Sequence, residues 1–224
     1  MELREATEQP RNLRQLIVER VRSAIVSGRV PNGTIYSVPT MAAELSVSTT
    51  PVREALLELS QDGFLTPLRN RGFRVEPMSL SELDNLFDLR VVLEAFALQS
   101  IARQGLKDSA PLRSLADSVA DAVGRSDVDG YVEADRAFHH AFVQRANNPL
   151  LTNMIMKLRD NMRLYGIKSP AGEERQRASV GEHYRLIDFA EQGAVEEIGL
   201  LIGTHINDWR PIFRAALSET LRVD

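Results

Sequence analysis

The stretch STTPVREALLELSQDGFLTPLRNRGFRVEP, residues 48–77, sets a helix, a stop and a hairpin one after another. Pro51 stands near the first helical position, where a missing N–H is harmless, and Ser48 or Thr49 precedes it as a cap. Val52, Leu56, Leu57 and Leu59 give the helix expected over 50–65 an apolar side, and Gly63 stops it. FLTPL and GFRVEP then read as short strands joined by the basic tip RNRG.

Upstream, residues 13–28 carry apolar side chains at 13, 16, 17, 21, 24 and 25, a helical stripe stopped by Gly28. VPNGT (30–34) is a turn by composition, and PTMAAEL (39–45) is a short helix with proline in its first turn. Helix, short helix, tight break, helix and two-stranded wing is the order of a winged helix-turn-helix. A helix enters a major groove when its leading turn bears small polar or basic groups and its shaft is held by an apolar face. Ser48, Thr49 and Thr50 form such a turn, with Arg53 following, and Arg69, Arg71 and Arg74 lie where phosphates or a minor groove could meet them. A helical hairpin with a polar turn is the other arrangement this pattern allows.

After Pro77 the pattern changes. Ser79 with Glu82 three residues on is a capping box. From there the periodicity predicts six helices, near 79–104, 110–125, 128–146, 148–167, 173–192 and 194–219, which would pack as an antiparallel bundle. The expected fold is therefore mainly α, with a winged helix-turn-helix domain over 1–78 and an all-helical domain over 79–224. The chain has no cysteine, which removes disulfides, thiolate metal sites and cysteine nucleophiles together. Its charge is −4 overall, but residues 1–78 hold ten Arg, nine acids and no Lys, so a near-neutral first third can still hold DNA by local placement. The first fifteen residues read as a polar lead-in without an apolar signal core, and no apolar run approaches bilayer-spanning length, so a cytoplasmic protein without a membrane segment is expected.

The helical part carries the chain's four histidines. Asp135 and His139 are four apart, on one helix face, flanked by Ala134, Phe138 and Phe142, whereas His140 points elsewhere. His183 lies with Leu186, Ile187 and Ala190, and His205 lies in LLIGTHINDW, again among apolar residues. Three imidazoles and a carboxylate suit Zn²⁺, Ni²⁺ or Mn²⁺. Spacing equally allows core histidines hydrogen-bonded to Asp135.

Two resemblances bear on these alternatives. LSVSTTPVREALLELSQDGFL with RNRGFRV resembles the DNA-binding signature of the GntR superfamily of bacterial transcription regulators, over about residues 13–76. By that resemblance Ser48, Thr49, Thr50, Arg53, Arg69, Arg71 and Gly72 are the expected DNA contacts. The family usually has an acid–arginine pair where this chain has Val38 and Pro39, and an arginine where it has Thr49, which implies a relaxed or different operator, or weak and strongly salt-dependent binding. Residues 79–220 are similar to the effector domain of the FadR subfamily, the FCD type. Its Asp-x-x-x-His, acid-His and final His fall on Asp135, His139, His183 and His205, and NNPLL (147–151) also matches. The resemblance implies a divalent transition metal, zinc first, a small carboxylate docked beside it, and an arginine clamp for which Arg90 is placed. Pairing of Arg90 with Glu94 is the other reading of that position. Arg159, Asn161 and Arg163, near Tyr165, are further candidates for lining an effector pocket.

Together these readings imply a ligand-responsive repressor, a homodimer bound to a double-stranded DNA operator. Four protein ligands in an octahedral site would leave two positions for an acid to chelate. A metal-dependent hydrolase using the His₃Asp site, with Glu182 or His140 as base, is the rival. A closed structural zinc is a third reading.

Overall fold

The computed structural model describes residues 13–162 and 164–223. Residues 1–12 of the polar lead-in lie outside them, as does Arg163, while the last three residues of the lead-in belong to the first helix. The described residues form two compact units that part between Met78 and Ser79.

The first unit runs α1 (Leu13–Val26), β1 (Ile35–Tyr36), α2 (Val38–Glu44), α3 (Thr49–Gln61), β2 (Leu65–Leu68) and β3 (Gly72–Val75). Ile17, Val18, Val21 and Ile25 of α1 close on Val52, Ala55, Leu56 and Leu59 of α3, and Phe64, Leu65, Phe73 and Val75 complete the core. Leu57, expected among the packing residues, is 44% exposed, because it lies about 100° round the helix from Leu56. The wing has three strands in the order β1-β3-β2, all antiparallel, rather than the two expected. β1 escapes notice because two residues carry no period. It pairs Ile35 with Arg74 and Tyr36 with Phe73, and so satisfies the outer edge of β3.

Gly72 has a backbone reason for its place. Its φ is +110°, and a Cβ there would stand 2.1 Å from the Tyr36 carbonyl oxygen. Gly72→Ala is therefore expected to cost about 1–3 kcal/mol or more by forcing β1 off β3. Denaturant unfolding of the variant checks this, and a loss of DNA binding without loss of stability would instead make Gly72 a contact residue.

The second unit is α4 (Leu80–Gln104), α5 (Ala110–Gly124), α6 (Val128–Val143), a 3₁₀ turn (Gln144–Ala146), α7 (Pro149–Asn161), α8 (Pro170–Gln192), α9 (Val195–Asn207) and α10 (Arg210–Val223). The capping box opens α4: the Glu82 N–H donates to Ser79 Oγ (3.2 Å), and the Ser79 N–H donates to Glu82 Oε2 (2.7 Å). α4 packs against α6, α7, α8, α9 and α10, while α5 packs on α6 and α8.

The helices differ from the expected six in three places. The run 194–219 divides, because Pro211 has no N–H to continue the ladder and the chain tightens through Trp209 N–H to Ile206 O (3.2 Å). The run 148–167 ends at Asn161. α8 starts at Pro170 rather than 173, since Ser169 Oγ accepts from the Gly172 N–H (3.1 Å) and proline fits the first turn.

Candidate functional site

The inner face of α6 carries Tyr131, Phe138, His139 and Phe142 as buried side chains, with Asp135 in line between the first two. α8 buries Arg175, Gln176, Ser179 and His183 before its apolar run Leu186, Ile187 and Ala190. α9 buries His205 between Ile202 and Ile206. These three faces meet. His139 Nε2 is 3.3 Å from His183 Nε2 and 3.2 Å from His205 Nε2. Asp135 Oδ1 is 3.5 Å from His139 Nε2 and 3.3 Å from His183 Nε2. All four ligating atoms lie within 4.8 Å of one another. The three histidines are buried, and Phe138 packs against two of the rings, at 5.2 Å from His139 and 4.5 Å from His183.

Donors about 2.1 Å from a single ion stand roughly 3.0–3.4 Å apart at right or tetrahedral angles, and the four close pairs here lie at 3.2–3.5 Å in a set spanning up to 4.8 Å. Burial and the nearby Arg159 charge push His139 down to about 4, against the pull of Asp135. Burial, then the His183 and His139 charges, also hold His205 well below its ordinary value. His139 and His205 therefore stay neutral near pH 7 and keep a lone pair each. Asp135 goes the other way. Burial raises it, but His139 and Arg159 outweigh burial and keep the carboxyl well below its ordinary range.

The surroundings orient these groups. His205 Nδ1 lies 2.6 Å from Glu182 Oε2, so it carries the proton and leaves Nε2 as a lone pair facing the cluster. Arg159 donates through Nη2 to Asp135 Oδ2 (2.6 Å) and through Nη1 to Glu94 Oε2 (2.8 Å). Glu94, fully buried, also takes Arg90 Nε at 2.8 Å and lies 3.7 Å from His139 Nδ1. Burial raises Glu94, but Arg159 and Arg90 bring it down to about 2. The donor set, its spacing, its protonation and its outer partners fit a divalent cation held by Asp135, His139, His183 and His205.

The other expected site residues fall as follows. Arg90 pairs with Glu94, and Arg159 backs Asp135, so both charges are engaged by protein carboxylates. Asn161 ends α7 with its Oδ1 buried and without a hydrogen-bond partner. Arg163 lies outside the described residues. In the first unit Ser48, Thr49, Thr50, Arg53, Arg69 and Arg71 are all exposed, at the start of α3 and at the wing tip, and Gly72 is half-buried. Arg74 is exposed and bonds Glu76 at 2.8 Å.

Sequence reading did not assign Glu94 or Arg175 to the site, and it named Glu182 only as a hydrolase base. A signal existed. Arg90 and Glu94 stand on the buried stripe Leu83-Phe87-Arg90-Glu94-Leu98 of α4, where charge is unexpected. Arg175 precedes Ser179 and His183 by steps of four.

The family comparisons settle what this arrangement belongs to. The description "Bacterial regulatory proteins, gntR family" matches residues 13–75, and the FCD domain matches residues 85–208. The chain belongs to the GntR family of bacterial regulators, with an FCD domain. It is 30% identical over 129 residues to the gluconate operon transcriptional repressor of Bacillus licheniformis, covering 57% of this chain and 53% of that one. It is 31% identical over 133 residues to the HTH-type transcriptional regulator McbR of Escherichia coli, covering 58% and 60%. The chain thus matches little more than half the length of these relatives. Among solved structures, E. coli McbR/YncC has the same fold, with a TM-score of 0.73 at 22% identity over 95% of this chain and 98% of that one.

The matched families and relatives are transcription regulators, not enzymes. The hydrolase reading of this GntR regulator finds no support. His140 is exposed, and Glu182 is bound to His205 and Arg175. No described helix is long and apolar enough to cross a membrane.

Proposed function

We propose that this GntR regulator represses transcription as a homodimer on a double-stranded operator, and that a small carboxylic acid bound beside a divalent metal in the FCD unit changes its grip. The observation that carries the sensing half is the convergence of Asp135 Oδ1 and three histidine Nε2 atoms on one point. Zinc is first in order for such N₃O donors, with nickel and manganese behind it. The cation would supply positive charge that draws an acid oxygen to the cluster. An acid that favours one arrangement of the helices shifts the population towards it. A tilt carried through residues 75–83 would then mismatch two recognition helices against half-sites about 34–36 Å apart.

Support for the dimer comes from α4, where Leu89, Val92 and Phe96 are 51%, 64% and 57% exposed at helical spacing, and from Leu200 of α9, 74% exposed. Such a stripe is self-complementary in a twofold pair.

The test is fluorescence anisotropy on DNA upstream of the gene, using zinc-loaded and chelated protein with a panel of acids. One acid is expected to change operator affinity by about 5–150-fold in the loaded protein alone. Identical responses of loaded and chelated protein would sink the sensing half. A closed structural zinc is the second reading, favoured by the complete burial of His139 and His183. It predicts that zinc raises the melting temperature while no acid adds to it.

The reading head makes its own prediction. Thr49 is exposed in the first turn of α3, where this chain lacks the arginine usual in the family. Thr49→Arg is expected to tighten DNA binding several-fold at moderate salt and to steepen the log–log salt slope by about 0.9, one more phosphate neutralised. An unchanged slope would place residue 49 away from the DNA.

A further inference from the structure

Arg175 is 6% exposed, and all its hydrogen bonds leave from one nitrogen. Nη2 donates to Glu182 Oε2 and to the His205 carbonyl oxygen (3.0 Å), and it stands 3.5 Å from His205 Nδ1. Nε and Nη1 are buried and meet no acceptor in the protein. Guanidinium cannot shed its charge, so a buried edge of N–H groups facing no acceptor is costly, at about the desolvation penalty of a charged donor. The guanidinium lies over the Trp209 ring, Cζ 5.9 Å from its centroid, a cation–π contact that supplies no hydrogen-bond acceptor.

The position of this edge is informative. Arg175, Ser179 and His183 are spaced by four along the buried face of α8, so they form one line that ends at the cation cluster. Tyr131 of α6 stands across that line, its hydroxyl 3.1 Å from Ser179 Oγ. Burial raises the Tyr131 hydroxyl and the Asp135 charge adds to that, against the Ser179 hydrogen bond and the Arg175 and Arg159 charges. Arg175 Nη2 faces His205 Nδ1, the side of the ring away from the ligating Nε2, while its Nε and Nη1 stay uncommitted. Arg90 and Arg159, by contrast, are consumed by Glu94 and Asp135.

We infer that Arg175 is the anion anchor of the effector site and that the effector is a short dicarboxylate, one acid group at the histidine cluster and the other on Nε and Nη1 of Arg175. This rests on the sensing role proposed above. It adds which residue reads the ligand and which class of acid is read. The Glu182 pair stays in place, because the ligand uses nitrogens that Glu182 does not touch.

The experiment is isothermal titration of zinc-loaded, full-length protein with succinate and with butyrate, which matches it in length but lacks one acid group. Zinc content and operator affinity are measured alongside. Wild type is expected to bind succinate about ten- to hundredfold tighter than butyrate, the value of a charge-assisted Arg–carboxylate contact. Arg175→Gln should lose that preference while keeping its zinc, and Arg175→Lys should restore part of it. Should Arg175→Gln fail to hold zinc or to fold, Arg175→Lys decides: a reduced preference for succinate with zinc retained supports the anchor, and an undiminished one overturns it. A preference retained in Arg175→Gln, or equal binding of the two acids by wild type, also overturns it. If neither acid nor any other in the panel changes operator affinity, the sensing role itself fails. If butyrate alone changes it, sensing survives and the anchor does not.

Discussion

Replacing Glu94 with glutamine is expected to destabilise the FCD unit by about 3–5 kcal/mol, the cost of removing one partner from a buried ion pair. Glu94 is fully buried, with Arg90 on one oxygen and Arg159 on the other, both at 2.8 Å. A neutral amide of the same shape leaves two guanidinium charges in the core without their common anion, and it sets an NH₂ against donors that need an acceptor. Trp209 is the chain's one tryptophan, so its fluorescence in urea reports on this unit. The same pair sets a pH dependence. The Glu94 carboxyl sits at about 2 when folded against an ordinary 4.5, so its contribution is complete above about 4.5 and fades as pH falls towards 2. A change below about 1 kcal/mol in Glu94→Gln would mean that water reaches these arginines, and the network would not be a core element.

The second large effect is expected at His139, whose Nε2 lies against both other imidazoles and Asp135. His139→Ala removes the donor common to every close pair but one, so zinc affinity should fall by about a hundredfold or more, the scale on which even supporting residues of such sites act. In wild type, zinc at a thousandfold over its dissociation constant should stabilise the chain by about 4 kcal/mol. In His139→Ala that gain should largely vanish, whereas His140→Ala, one residue along and exposed, should keep it. Calorimetric zinc titration and melting curves check both. Equal losses in the two variants would point to zinc on the surface rather than at the cluster.

Much of the DNA-reading unit was legible in residue order. Pro51, the Leu56/Leu59 spacing and Gly63 mark α3 by local chemistry that needs no partner, and the RNRG tip between two short runs marks the wing. β1 was not legible, because two residues have no period and form a strand only by pairing with β3. The break after Asn207 was signalled by Pro211 but masked by apolar residues that keep helical spacing across it.

The His₃Asp cluster was legible for a similar reason. Asp135 and His139 share a helix face by spacing alone, and each further histidine lies in an apolar run, which tells that it points inward. Sequence alone could not say that three inward faces meet at one point, since that depends on how α6, α8 and α9 pack. Nor could it choose a partner for a buried charge. Arg90 had two readings, and packing chose Glu94. Arg159 looked like a pocket residue, and packing gave it to Asp135. Arg175 drew no notice and became the buried cation with donors to spare. Local periodicity determines which side of each helix is buried, because burial follows from the spacing of apolar groups. Which charges then neutralise one another is decided between elements far apart in the chain, by distances that exist only once the helices have packed.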